Sequence, residues 1–151
     1  MISPELLRRF KLFAGLPPEM FADIAQFCEE TVLEEDTYLF QQKDTADELF
    51  LVLEGSVDLL MDMDETGETR TEIETIVAGE PLGWSALVEP HQYKLSAVAS
   101  SEAKLIAIDA VKMRAFLAER PEWGYQLMQQ LSRVIGTRLD NMRTRLISMA
   151  G

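Results

Sequence analysis

Cysteine, histidine and basic side chains are scarce in this sequence, and each scarcity removes a class of function. The 151 residues include one cysteine, Cys28, and one histidine, His91. A single cysteine cannot form an internal disulfide or a cysteine-rich metal site. A single histidine builds neither a His-based catalytic pair nor a zinc site, and no further metal ligands stand near it. The 14 Lys and Arg are outnumbered by 26 Asp and Glu, which leaves a net charge of −12. A chain so acidic repels a phosphate backbone and lacks the basic footprint of a nucleic-acid binder. No apolar run approaches the roughly 20 residues that span a bilayer. The opening residues Met1–Phe10 hold no apolar core with a small-residue cleavage site, so they are not a secretory signal. The expected location is the cytoplasm. P-loop, GxGxxG and GxSxG motifs are missing too. With no catalytic constellation and no metal site, nothing points to an enzyme.

What is present is ordinary for a soluble domain: 47% apolar and 26% charged residues. A chain of this length buries roughly 68–70% of its unfolded surface and is read as one domain, 1–151. The hydrophobic period divides it into helices over 1–30, strands over 31–109 and helices over 110–151. Ser3 and Pro4 suit the start of a first helix running through Leu6, Leu7, Phe10 and Leu12 to Gly15. A second helix starts at Pro17–Pro18 and spaces Met20, Phe21, Ile24, Ala25, Phe27 and Cys28 helically. Cys28 then reads as a small buried hydrophobe.

Seven strands are expected, over 31–33, 38–40, 48–53, 56–61, 69–77, 93–100 and 104–109. Their even spacing argues for a sandwich or barrel-like β structure. In the fifth, Thr71, Ile73, Thr75 and Val77 alternate with Arg70, Glu72 and Glu74. Helical periodicity returns over 111–119 and again from Glu122 to about Met149, a helix of about 40 Å. Along it Leu131, Ile135, Leu139, Met142, Leu146 and Met149 recur at spacings of 4 and 3, a heptad seam that a second copy of the chain would bury. The alternative is a helix lying across its own domain. Arg133, Arg138, Arg143 and Arg145 on the same helix read as a solvated face near a helix C-terminus, the alternative being a patch for an acidic partner.

Two segments invite a ligand. Asp62 to Gly67 resembles the start of a calcium loop, but position twelve would be Ile73 where a glutamate is required, so an acidic hairpin tip is the better reading. From Gly79 to Val88 a strand end, a glycine turn and a second glycine, Gly83, open a helical turn that can present N–H groups to an anion. His91 sits beside Pro90 in a turn.

With its neighbours this segment resembles the cyclic-nucleotide-binding domain of catabolite-activator (Crp/Fnr) type regulators. The likeness runs through Leu12–Leu16, Tyr38–Phe40, Asp44–Gly55, Gly79-Glu80 before Gly83, Ala86-Leu87, Ile108-Asp109 and the long closing helix. It implies a mainly β fold with flanking helices: a double-stranded β-helix (β-roll or jelly roll) and a long C-terminal dimerisation helix. Regulators of this type continue into a helix-turn-helix domain. This sequence ends at Gly151, after the dimer helix, as a stand-alone sensor or a piece of a longer regulator would, so no DNA binding by the residues given is expected. Without a long apolar run, neither is membrane contact.

In that family the phosphate-binding cassette reads roughly Phe-Gly-Glu-Leu-Ala-Leu, a gap, then Arg-Ser/Thr-Ala; its glutamate takes the ribose hydroxyl and its arginine the cyclic phosphate. Here Trp84 stands at the glutamate position, and the arginine position is Tyr93 or, shifted by one, Lys94. Leu95, Ala97 and Ala99 form the small apolar set of an inward face, and Tyr93 shares their parity, which favours Tyr93. The candidate pocket is therefore Gly83, Trp84, Ser85, Ala86, Leu87, Tyr93, Lys94 and Leu95. Losing both charged partners costs on the order of 3 kcal/mol, at least about a hundredfold in affinity. A regulatory sensor with a degenerate cassette is expected, one that does not hold cyclic AMP tightly and takes a cyclic nucleotide weakly or another small ligand. The alternative is a ligand-free dimeric scaffold acting on a downstream protein. Asp36 and Lys43 stand where the family has turn glycines.

Overall fold

The computed structural model describes residues 1–150. Its centre is a pair of four-stranded antiparallel sheets built from eight strands: β1 (Cys28–Leu33), β2 (Tyr38–Phe40), β3 (Glu48–Glu54), β4 (Ser56–Asp62), β5 (Arg70–Val77), β6 (Pro81–Leu82), β7 (Ser96–Ala99) and β8 (Ala103–Asp109). One sheet has the order β1-β8-β3-β6 and the other β2-β7-β4-β5. Each sheet takes strands from both ends of the β segment, which is the winding of a β-roll. The two sheets supply much of the core: Leu49, Leu51, Leu105, Ile106 and Ile108 from the first, and Val57, Ile76, Ala97 and Ala99 from the second, all fully buried.

Four α-helices flank the roll: α1 (Pro4–Leu7), α2 (Pro18–Ala25), α3 (Ala110–Ala118) and α4 (Pro121–Ala150). The first helix is shorter than its pattern suggests. It stops after four residues, Phe10 turns extended at φ −101°, and a 3-10 turn over Lys11–Phe13 follows. The break lets Phe10, Leu12 and Phe13 all face the core, which one continuous helix would not allow. Ser3 makes no side-chain cap. Cys28 opens β1 and does not end α2, so the strands begin three residues before 31. It is fully buried, its thiol donates to the Ile24 carbonyl at 3.2 Å, and burial pushes it up to about 12.

The alternation expected for β5 fails at a bulge. Leu59 pairs with Glu74 and Leu60 with Glu72, so Ile73 has no partner in the register. Ile76 is the buried residue, while Val77 is exposed. A short strand, β6, was not foreseen, and the segment before β7 is loop as far as Leu95. Asp36 and Lys43 have φ of 69° and 79°, the left-handed region where glycine costs least. The tip between β4 and β5 is an Asx turn, with Asp64 accepting from the N–H groups of Thr66, Gly67 and Glu68. The described residues contain no group of three potential metal ligands and no helix long and apolar enough to cross a membrane.

Asp109 caps α3 by accepting from the Lys112 N–H at 3.1 Å. Pro121 then starts α4, whose 30 residues reach back across the roll. Leu127 and Leu131 are buried in the domain's own core, so Leu131 is not free for a partner, contrary to its place in the expected seam. Ile135 packs partly against that core. Leu139, Met142, Leu146 and Met149 are exposed along one stripe.

Candidate functional site

A pocket forms where the two glycines turn the chain between β5 and β7. Gly79, at φ +95°, lets its N–H donate to the Val52 carbonyl at 2.9 Å. β6 then pairs with Phe50 and Leu51 of β3, and Gly83, at φ +78°, opens a 3-10 turn over Trp84–Leu87. A Cβ at Gly83 would lie 3.3 Å from both the Glu48 carbonyl oxygen and Tyr93 Cε1. Glycine is required there for backbone conformation and for close approach alike.

Tyr93 takes the inward place and Lys94 is exposed, as strand parity suggests, although both lie in the loop before β7. The Tyr93 side chain is packed in place, with 6% exposure. Its ring stacks on Phe40 with centroids 3.7 Å apart and planes 8° apart, and its hydroxyl donates to the Glu48 carbonyl at 2.6 Å. Phe50 extends the pile at 6.0 Å from Phe40. Burial, joined by the nearby carboxylates of Glu48, Asp47 and Asp44, pushes the phenol up to about 12, against the opposing hydrogen bond. Ser96, whose parity puts it outside, is fully buried, its hydroxyl accepting from the Gln42 N–H at 2.8 Å.

Six of the eight expected pocket residues, Gly83, Trp84, Ser85, Tyr93, Lys94 and Leu95, line a cavity of about 60 Å³ with Phe40 and Leu59. Ala86 and Leu87 do not. Ala86 is buried, its N–H donates to the Gly83 carbonyl at 3.1 Å, and its carbonyl accepts from Arg114. That N–H is therefore not free for an anion. Leu87 faces a separate cleft beside Glu89, His91 and Arg114.

One lining residue was missed: Arg138, from α4. It is 8% exposed, lies 3.8 Å from Glu74, and donates to the Pro81 carbonyl, while its Nε has no hydrogen-bond partner. Burial lowers its basicity, and Glu74 and Glu80 oppose that shift. The solvated-face reading of the four arginines fails here, though it holds for Arg143, which pairs loosely with Asp140 in solvent. A signal was available. Arg138 stands seven residues after Leu131 and so on the same, core-facing side of the helix.

The fold and the pocket together define a β-roll domain whose C-terminal helix supplies part of the pocket wall. The chain belongs to the cyclic nucleotide-binding domain family, whose pattern its residues 30–120 match. It is similar to a candidate cyclic nucleotide-binding protein from Geobacter metallireducens, with 31% identity, a TM-score of 0.83, and 92% of this chain and 99% of that one covered. The catabolite activator protein of Thermus thermophilus shares the fold, at 23% identity and a TM-score of 0.69 over 93% of this chain and 63% of that one. In sequence it is similar to the CRP-like cAMP-activated global transcriptional regulator of Mycobacterium tuberculosis, 22% identical over 139 residues, 91% of this chain. The chain spans 61% of that regulator's length.

Proposed function

We propose that this chain is a regulatory, non-enzymatic ligand-sensing domain, cytoplasmic and homodimeric through α4, whose pocket does not hold cyclic AMP tightly. The observation that carries the reading is the Tyr93 ring, stacked on Phe40 and bonded to the Glu48 carbonyl in the space that Gly83 opens. A phenol, unlike a guanidinium, has no positive charge to offer a cyclic phosphate. The remaining cavity of about 60 Å³ holds a few waters, whereas ligand pockets run to about 300–1,000 Å³. A nucleotide enters only if Tyr93, Trp84 or Arg138 moves, and Arg138 would carry that movement into α4. The relatives support regulation by a small ligand: one is named as cAMP-activated and another as a cGMP-dependent protein kinase, from Drosophila melanogaster. The exposed stripe from Leu139 to Met149 supports the homodimer.

The small cavity also favours a second reading, a ligand-free dimeric scaffold acting on a partner protein. A thermal-shift titration with cyclic AMP, cyclic GMP and cyclic dinucleotides to millimolar, with AMP as control, separates the two. Cyclic AMP should give no saturable rise in melting temperature, and a double variant, Trp84→Glu with Tyr93→Arg, should gain one. A saturable shift of the unmodified protein at micromolar cyclic AMP would overturn the degenerate pocket. Silence toward every ligand favours the scaffold.

A further inference from the structure

Arg138 walls the β-roll cavity on one side, and on its other side lies a larger space. A groove of about 570 Å³ runs between the Lys11–Phe13 turn, the β5–β6 connection and α4. Four of the chain's 14 cations line it, Arg9, Lys11, Arg133 and Arg138, against one of its 26 carboxylates, Glu80. That local balance reverses the charge of the whole protein. Among the described residues Arg9, Lys11 and Arg133 have no ion-pair partner, and all three are exposed. Arg138 is nine-tenths buried, with an Nε that lacks a hydrogen-bond partner. A cleft lined by one sign of charge focuses its field and draws a counter-ion, and guanidinium groups match phosphate oxygens in geometry.

The groove and the apolar stripe occupy different sides of α4. Gln130, Arg133, Val134, Thr137 and Arg138 follow the 3–4 spacing of one helix face. Thr137 and Leu139 are about 200° apart around the axis, at 3.6 residues per turn. A dimer through the stripe therefore leaves the Gln130, Arg133 and Thr137 side of the groove open, while Arg138 lies about 40° from Met142 around the axis.

We propose that this groove is a second ligand site, taking a small, multiply charged phosphate chain of di- or triphosphate size, with Arg9, Lys11 and Arg133 at its rim and Arg138 at its inner wall. The volume falls within the range of small-ligand sites, and three unpaired cations, Arg9, Lys11 and Arg133, suit a multiply charged anion. The phosphate chain can be free or part of a nucleotide. Calorimetric titration of the full chain with inorganic tripolyphosphate and with ATP, at constant ionic strength and with adenosine as control, tests the proposal and tells the sources apart. Saturable binding of one anion per chain is expected, weakening as salt shortens the screening length. Tighter ATP than tripolyphosphate assigns a nucleotide, and equal affinity assigns the phosphate chain alone. Replacing Arg9, Lys11 and Arg133 together by Ala should weaken binding at least about tenfold. If that triple variant loses its fold, Thr137→Glu, a single exposed substitution on the same face, should weaken binding as well. No saturable heat from either anion at several millimolar overturns the site, as does unchanged affinity in the folded variants.

Discussion

The two ends of α4 form one helix and behave as two different elements. Up to Arg138 the helix belongs to the domain: Leu127 and Leu131 are buried, Trp123 packs 5.9 Å from Phe116, and Arg138 enters the roll. From Leu139 to Ala150 every residue is exposed, including Leu139, Met142, Leu146, Ile147 and Met149. Isolated helices shorter than about 12–15 residues are marginal in water. The same heptad spacing therefore reads as core in one half and as a surface that needs a partner in the other. Periodicity reports that a face is apolar; what covers the face is a separate question.

Matched substitutions can break that contrast. Leu131→Ala should cost about 2–5 kcal/mol of folding free energy in a denaturant titration, because it empties a filled core. Leu139→Glu should cost the fold about 0.5 kcal/mol or less and, measured by light scattering, halve the mass in solution. Similar losses from both, or an unchanged mass for Leu139→Glu, would erase the distinction between the halves. The arginines repeat the comparison at smaller scale. Arg138→Ala strands the half-buried Glu74 and should cost about 3 kcal/mol, whereas Arg143→Ala, in a solvated pair, should stay within about 0.5 kcal/mol.

The pocket adds a dependence on pH. The Tyr93 phenol stands at about 12 in the folded chain and at about 10 when unfolded. Its contribution is complete below pH 10 and is lost as pH rises from 10 to 12, because the unfolded chain ionises first. The gap in melting temperature between the protein and Tyr93→Phe should narrow from pH 9 to pH 12; a constant gap would place the phenol in water. A modest effect of opposite sign is expected in the turns, where Lys43→Gly should stabilise by up to about 1 kcal/mol by relieving a left-handed backbone. A loss of stability there would mean that the Lys43 side chain contributes contacts.

Much of the fold was legible because strand alternation, glycine turns and helix period are local properties. Tyr93 was placed inward by parity, and the long last helix by its heptads. The misses come from tertiary events. The bulge at Ile73 inverts the parity of β5 beyond it, and the break at Phe10 exists only because Leu12 and Phe13 both find a core. The site was half legible. Its turn residues fall in two short runs, 83–85 and 93–95, but Arg138 stands more than 40 residues beyond Leu95, and a charge at a core-facing position was taken for solvent exposure.

The bulge has one more effect. β5 is the outer strand of its sheet, and an outer strand offers unpaired amides to any other extended chain. At Ile73 the ladder is interrupted, and the freed carbonyl accepts from the Arg145 guanidinium of α4. A strand from another molecule thus meets a kinked edge with an occupied acceptor. In a chain cut before Arg145 the kink would remain, but the Ile73 carbonyl would lose that donor and be open to a strand from another molecule.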